Sequence, residues 1–209
     1  MMHNLLKRIL SSIILVPLVF YFIISGSYFL LFFTSICFLI SCYEWHVMTK
    51  NKKYYIYGFL FLFVSFYTFY QVAFELTLVF FVILVCILTD IGGYVFGNFF
   101  KGPKLTSISP KKTYSGMIGG YFFSLIGILI ISNLSDYSQI NIKTFLFIIL
   151  ISTISQIGDL VISYFKRLSK FKDTGKIIPG HGGLLDRIDG MIFTFPIVFF
   201  IESINYLNI

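Results

Sequence analysis

Seven apolar segments dominate the chain, over residues 9–25, 28–43, 54–70, 74–94, 117–134, 144–165 and 190–207. Each approaches the roughly 20 residues that an α-helix needs to cross the hydrocarbon core of a bilayer, the first three falling a little short. No alternating pattern of a β-barrel is visible, and lipid offers no partners to an unpaired backbone, so helix is the open choice. The expectation is an all-α, polytopic integral membrane bundle of about seven transmembrane helices, with cytosolic loops that carry the chemistry. Composition agrees. Only 12% of the residues are charged while 57% are hydrophobic, whereas a soluble domain carries about 25% charged residues to cover its surface.

Charge supplies an orientation. With a cytosolic N-terminus, the inside positions are 1–8, 44–53, 95–116 and 166–189, and they hold fifteen of the sixteen basic residues, all but Lys143. That satisfies the positive-inside rule and predicts a multi-pass protein of the cell inner membrane. Lys7 and Arg8 ahead of the first apolar run resemble a signal peptide, but further spans follow without a clear cleavage site, so a retained first span is expected. A net charge of +7 would suit nucleic acid only on a soluble basic face. Anionic membrane lipids and anionic substrates are the expected partners, with no nucleic acid. Cys37, Cys42 and Cys86 lie in apolar runs without metal-ligand spacing and read as reduced, packed thiols. The chain divides into N-terminal transmembrane helices (1–75) and a C-terminal catalytic region (76–209).

The positive-inside rule explains the six cations of segment 163–189, but not its three aspartates and four glycines. Gly175, Gly180, Gly182 and Gly183 let the backbone approach a ligand closely. With the flanking lysines, they suggest a polyphosphate cradle. Two further acids lie just inside apolar spans: Asp159, two helical turns before Lys166 and Arg167, and Asp90 at the end of the fourth span. An ionised carboxylate at membrane depth is costly, so each is a candidate for function, the alternative being an interhelical pair with a lysine or a hydroxyl. Asp186 and Asp189, at i and i+3, share a helix face. Carboxylate oxygens suit Mg²⁺, and Asp159 meeting Asp186 across a helix pair would supply two. In the preceding loop, Ser109-Pro110-Lys111-Lys112-Thr113 suits phosphate contacts, and Ser115-Gly116 would open the fifth helix as an anion-receiving end. His181 reads as a phosphate or loop contact in preference to an acid or base. Glu44-Trp45-His46 reads as an interfacial aromatic anchor, with Glu44 a minor candidate.

Segment 163–189 is similar to the full signature of the phosphatidate cytidylyltransferase family. The matching residues are Ser163, Lys166, Arg167, Lys172, Asp173, Gly175, Pro179, His181, Gly182, Gly183, Asp186, Arg187 and Asp189. The Asp159, Asp90 and 108–113 motifs resemble family motifs in the family's order. The resemblance implies transfer of CMP from CTP to phosphatidate, giving CDP-diacylglycerol and pyrophosphate in phospholipid biosynthesis. It also implies Mg²⁺, a monovalent cation such as K⁺, and a homodimer. By motif match, Asp159 and Asp186 are expected as metal ligands, and Asp159, Lys166, Asp186 and Asp189 as catalytic. Substrate contacts are expected from Ser163, Arg167, Lys172, His181, Gly182, Gly183 and Arg187, joined by Ser109, Lys111, Lys112 and Thr113. The chain departs from the family at Ile162, Asn98 and Ser115, where Glu, Arg and Glu are usual.

The inventory makes chemical sense without the name. A phosphate monoester has a second pKa of about 6 and is already largely a dianionic nucleophile at neutral pH. The task is to bring it to a polyanionic triphosphate, which cations and a metal accomplish by positioning and neutralisation. Many cations, a few carboxylates and no activated Ser–His pair fit nucleotidyl transfer better than hydrolysis. The Asp-Gly…Ala-Arg pattern of the CDP-alcohol phosphotransferases is absent. A non-catalytic lipid-phosphate binding or transport paralogue is the alternative, and the four acids Asp159, Asp173, Asp186 and Asp189 count against it.

Overall fold

A computed structural model describes residues 2–132, 141–178 and 182–204. The expected apolar segments are helices: α1 (Met2–Ser25), α2 (Ser27–Thr49), α3 (Tyr55–Val72), α4 (Leu76–Phe100), α5 (Tyr114–Ser132), α6 (Ile142–Leu168) and α8 (Met191–Ser203), with the four-residue α7 (Leu185–Ile188) before the last. Among the described residues the only pairings of β type are isolated bridges, Lys104 with Thr113 and Ile178 with Gly182. Among those residues α2, α3, α4 and α6 are long and apolar enough to cross a membrane. Large apolar side chains such as Phe32, Leu39, Phe63 and Ile142 point outward and exposed, the surface expected of a multi-pass membrane protein.

The interior holds two apolar clusters. One joins α1 and α2 to α4, α6 and α8 through Ile23, Leu30, Val82, Val85, Ile148 and Val198. The other, nearer segment 163–189, gathers Trp45, Met48, Leu62, Ile162, Leu185 and Ile192. Within lipid, apolar contact alone does not drive helices together, so close backbone approach and buried hydrogen bonds matter more. Both occur. Helices α4 and α5 meet along glycines: a Cβ added at Gly116 would lie 2.7 Å from the Gly93 carbonyl oxygen. Thr89 Oγ1 donates to the Val85 carbonyl at 2.8 Å and shares a hydrogen bond with Ser152 Oγ at 3.0 Å, tying α4 to α6.

Contacts collect the loops at one end of the bundle. Tyr54 shares a hydrogen bond with Ser169 (2.9 Å), Lys112 pairs with Asp159, and Thr174 donates to Glu44 (2.9 Å). Segments 44–53, 95–116 and 166–189, assigned to one side by charge, thus gather around the same end of α6. The N-terminal helices pack directly on the C-terminal ones, α3 lying against α8. Trp45 corrects the expectation of an interfacial anchor. It is 3% exposed, donates from Nε1 to the Tyr55 carbonyl at 3.0 Å, and packs edge-on against Tyr54 and Phe165. Gly58 makes room for it, since any Cβ there would overlap the indole ring.

Candidate active site

The last three turns of α6 carry Asp159, Ser163, Lys166 and Arg167, and three of these face inward. Ser163 donates to Asp159 Oδ1 at 3.3 Å, one helical turn back. Lys166, buried at 9% exposure, reaches Asp186 Oδ1 at 2.8 Å. Arg167 is exposed and caps its own helix end by donating to the Phe171 carbonyl at 3.3 Å. The chain then turns through 169–172, with Phe171 N donating to the Lys166 carbonyl at 2.9 Å. Lys170, Lys172, Asp173 and Lys176 are exposed along this rim.

Asp186 is the hub of the loop. Its Oδ2 accepts from Thr174 N at 2.8 Å and Gly183 N at 3.2 Å, while Oδ1 faces Lys166. The carboxylate is therefore oriented from both sides of the turn that runs from 174 to 183. Ile178 and Gly182 close that turn with reciprocal backbone hydrogen bonds. Gly182 takes φ +94, a conformation that other residues rarely adopt. His181, Pro179 and Gly180 lie outside the described residues. Gly175 and Gly183 have a different reason to be glycine from the ligand approach expected of them: a side chain at either would run into Glu44, and at Gly183 into Thr174 as well.

The second lysine–carboxylate pair joins two loops. Lys112, from the 101–113 segment, forms an ion pair with Asp159 on α6, at side-chain exposures of 25% and 30%. Asp159 and Asp186 thus each take their own lysine, and Asp159 has both the lysine and the hydroxyl partner that were the alternative to a metal role. Asp90, expected at the end of its span, lies inside α4 with ten helical residues after it, within electrostatic reach of Asp159, Lys112 and Arg187. Asp189, half-buried after α7, has its pKa raised well above the usual carboxylate range by burial and by the charge of Asp159, against the pull of Lys166 and Lys112. Asp90 and Asp189 therefore both lie within electrostatic reach of Asp159 and Lys112.

Among the described residues, no three Asp, Glu, His or Cys side chains are arranged as a ready-made metal cage. Mg²⁺ does not need one, since it commonly binds through one or two carboxylates completed by phosphates and water. The donor chemistry fits: oxygen ligands only, and like charges held close enough to raise the pKa of Asp189. In the preceding loop, Lys111 is exposed, and the Ser109 carbonyl accepts from Lys112 N at 3.0 Å in a turn. Helix α5 starts at Tyr114, before the expected Ser115-Gly116. Thr113 caps it by accepting from Gly116 N at 3.1 Å and sharing a hydrogen bond with Ser115 Oγ. Ser115 donates in turn to the Lys101 carbonyl.

Sequence reasoning gave Glu44 only the place of a minor candidate. It lies near the C-terminal end of α2 with 1% exposure and accepts from Leu184 N at 2.8 Å, Leu185 N at 2.9 Å and Thr174 Oγ1 at 2.9 Å. The signal was present as an acid within an otherwise apolar helix, but its proximity to Trp45 suggested the interface. An apolar cavity of about 200 Å³ adjoins the site between α3, α6 and α8, lined in part by Tyr57, Phe61, Val161, Phe165 and Ile192.

A sequence profile described as the cytidylyltransferase family matches residues 53–204. A Rickettsia felis protein named phosphatidate cytidylyltransferase is 36% identical over 96% of this chain and 93% of its own length. Proteins of that name from Staphylococcus saprophyticus and Staphylococcus aureus are each 43% identical, over 56% and 65% of this chain. The chain's match spans about half the length of the staphylococcal relatives, 46% and 53%.

Proposed function

The chain belongs to the cytidylyltransferase family, and from that premise we propose that it transfers CMP from CTP to phosphatidate. A phosphate oxygen of phosphatidate attacks the α-phosphorus of CTP, the bond to the β-phosphate breaks, and pyrophosphate leaves with that electron pair. The products are CDP-diacylglycerol and pyrophosphate. The observation that carries this reading is the pairing of Lys166 with Asp186 and of Lys112 with Asp159, which fixes two cations at one end of a membrane bundle. A site that merely bound anions would have no use for carboxylates beside its lysines.

The nucleophile is already ionised near neutral pH, so positioning and charge dominate and no general base is needed. Lys112 and Lys166 neutralise phosphate oxygens in the partly dry interior, where each charge counts for more than in water. Arg167, Lys172, Arg187 and Lys111 form the exposed rim that draws in the polyanion. Asp159 and Asp186 are the carboxylates that would hold Mg²⁺, with Asp189 next to them. When bound, that ion neutralises triphosphate charge and polarises the phosphoryl oxygens. The apolar cavity by Phe165 and Ile192 supports a lipid as the second substrate, since an acyl chain can lie there with its headgroup at the lysines.

An N-terminus in the cytosol and residence in the inner membrane follow from the basic loops. A homodimer and a monovalent cation are carried over from the family. The test is the purified chain in detergent with CTP, phosphatidate and Mg²⁺, reading CDP-diacylglycerol by mass. Phosphate-lipid binding without any product would favour the non-catalytic paralogue instead.

A further inference from the structure

Glu44 is the one fully buried acid among the described residues. It stands on α2, outside the stretch that the family profile matches. All three of its hydrogen-bond donors belong to the catalytic loop, at Thr174, Leu184 and Leu185. Thr174 is held at both ends: its hydroxyl donates to Glu44, and its backbone N–H donates to Asp186 Oδ2. Leu184 and Leu185 immediately precede Asp186, which receives Lys166. A carboxylate from a distant helix thus clamps the two strands of the turn that present Asp186. Glycine at 175 and 183 is the counterpart, because the carboxylate fills the space a Cβ would need.

We infer that Glu44 is a positioning residue for the transfer site, holding segments 173–178 and 182–185 together and through them setting the aim of Asp186 and Lys166. The inference rests on the transferase reading for its kinetic consequences only. A carboxylate is required in preference to an amide. Oε1 accepts one N–H, while Oε2 accepts an N–H and a hydroxyl. Gln preserves the shape but turns one of these oxygens into an NH₂ that faces a donor. Asp is one methylene too short to reach the loop.

The experiment uses the full chain in detergent. Glu44→Gln speeds hydrogen exchange of peptides within 173–186 by at least about tenfold, with exchange in α4 and α5 unchanged. Its kcat falls at least about tenfold. Thr174→Ser, which keeps the hydroxyl, retains the native kcat, while Thr174→Val falls as Glu44→Gln does. The Glu44→Gln/Thr174→Val double variant falls no further than the worse single one, because both loosen the same clamp on the loop. Native exchange or native kcat in Glu44→Gln overturns the inference, as does a double variant whose losses multiply. If Glu44→Gln does not fold, the Thr174 pair decides, and equal rates for Ser and Val overturn it. If the native chain forms no CDP-diacylglycerol, the transferase reading fails, and the exchange comparison alone decides whether Glu44 holds the loop.

Discussion

Lys166 on α6 and Asp186 on α7 meet at 2.8 Å, with side-chain exposures of 11% and 8%. Two backbone N–H groups orient the same carboxylate from its other oxygen. Removing one member of so buried a pair leaves an uncompensated charge, which costs about 3–5 kcal/mol, far more than a surface pair is worth. The pair therefore sets both the loop geometry and the charge balance of the site.

Asp186→Asn is expected to abolish turnover, by at least about a hundredfold in kcat, the scale seen when a preorganised electrostatic contact is lost. It removes a proposed metal oxygen and the counter-charge of Lys166 together. Initial rates at saturating CTP check this, and a variant within about twofold of native would sink the role given to Asp186.

Lys112→Gln separates chemistry from stability. Its ion pair with Asp159 is about a quarter exposed on each side, so it is worth no more than about 1 kcal/mol. The melting midpoint is expected to move by at most about 2–4 °C, while the transfer rate drops more than about tenfold. A large melting shift with an unchanged rate would make the pair purely structural.

Chelation should stop product formation completely, and added Mg²⁺ should restore it, if Asp159 and Asp186, the proposed metal carboxylates, supply the hard oxygen ligands such an ion prefers. Undiminished activity in excess chelator would remove the metal from the mechanism.

Asp189 exchanges stability for function. Burial and the Asp159 charge raise its pKa, so this carboxyl lowers the stability of the metal-free fold: the cost is absent at acid pH and grows as pH rises past the usual carboxylate range. Asn keeps the acceptor used by Gly190 N at 3.0 Å. Asp189→Asn is expected to stabilise the metal-free protein by about 0.5–2 kcal/mol, more at pH 8 than at pH 5, and to lose transfer activity. Thermal melts at both pH values in chelator are the check, and a lower midpoint at pH 8 would contradict it.

Gly116→Ala should be costly where Gly127→Ala is not. The added methyl at 116 meets the Gly93 backbone oxygen at 2.7 Å, which only separation of α4 and α5 relieves, whereas at 127 it meets the end of the Leu88 side chain at 3.1 Å. Overpacking of the first kind costs about 1–3 kcal/mol. Melting of the two variants side by side distinguishes them.

Helices were the most legible part of the chain. Apolar runs of near-bilayer length leave the backbone no other way to satisfy its hydrogen bonds, and α1–α6 and α8 fall where those runs do. The clustering of basic residues marked which loops belong together, and the spacing of Asp186, Arg187 and Asp189 after Lys166 and Arg167 marked the candidate site. These are local properties, written in consecutive residues. The tertiary structure decided which acid meets which base: Asp159 takes Lys112 and Asp186 takes Lys166. It also turned Trp45 inward and brought Glu44 to Thr174, 130 residues away. No periodicity encodes such pairings, because they depend on how helices cross and how closely glycines let them approach. A buried carboxylate looks the same in sequence as one at the interface until the loop that hydrogen-bonds it is folded over it.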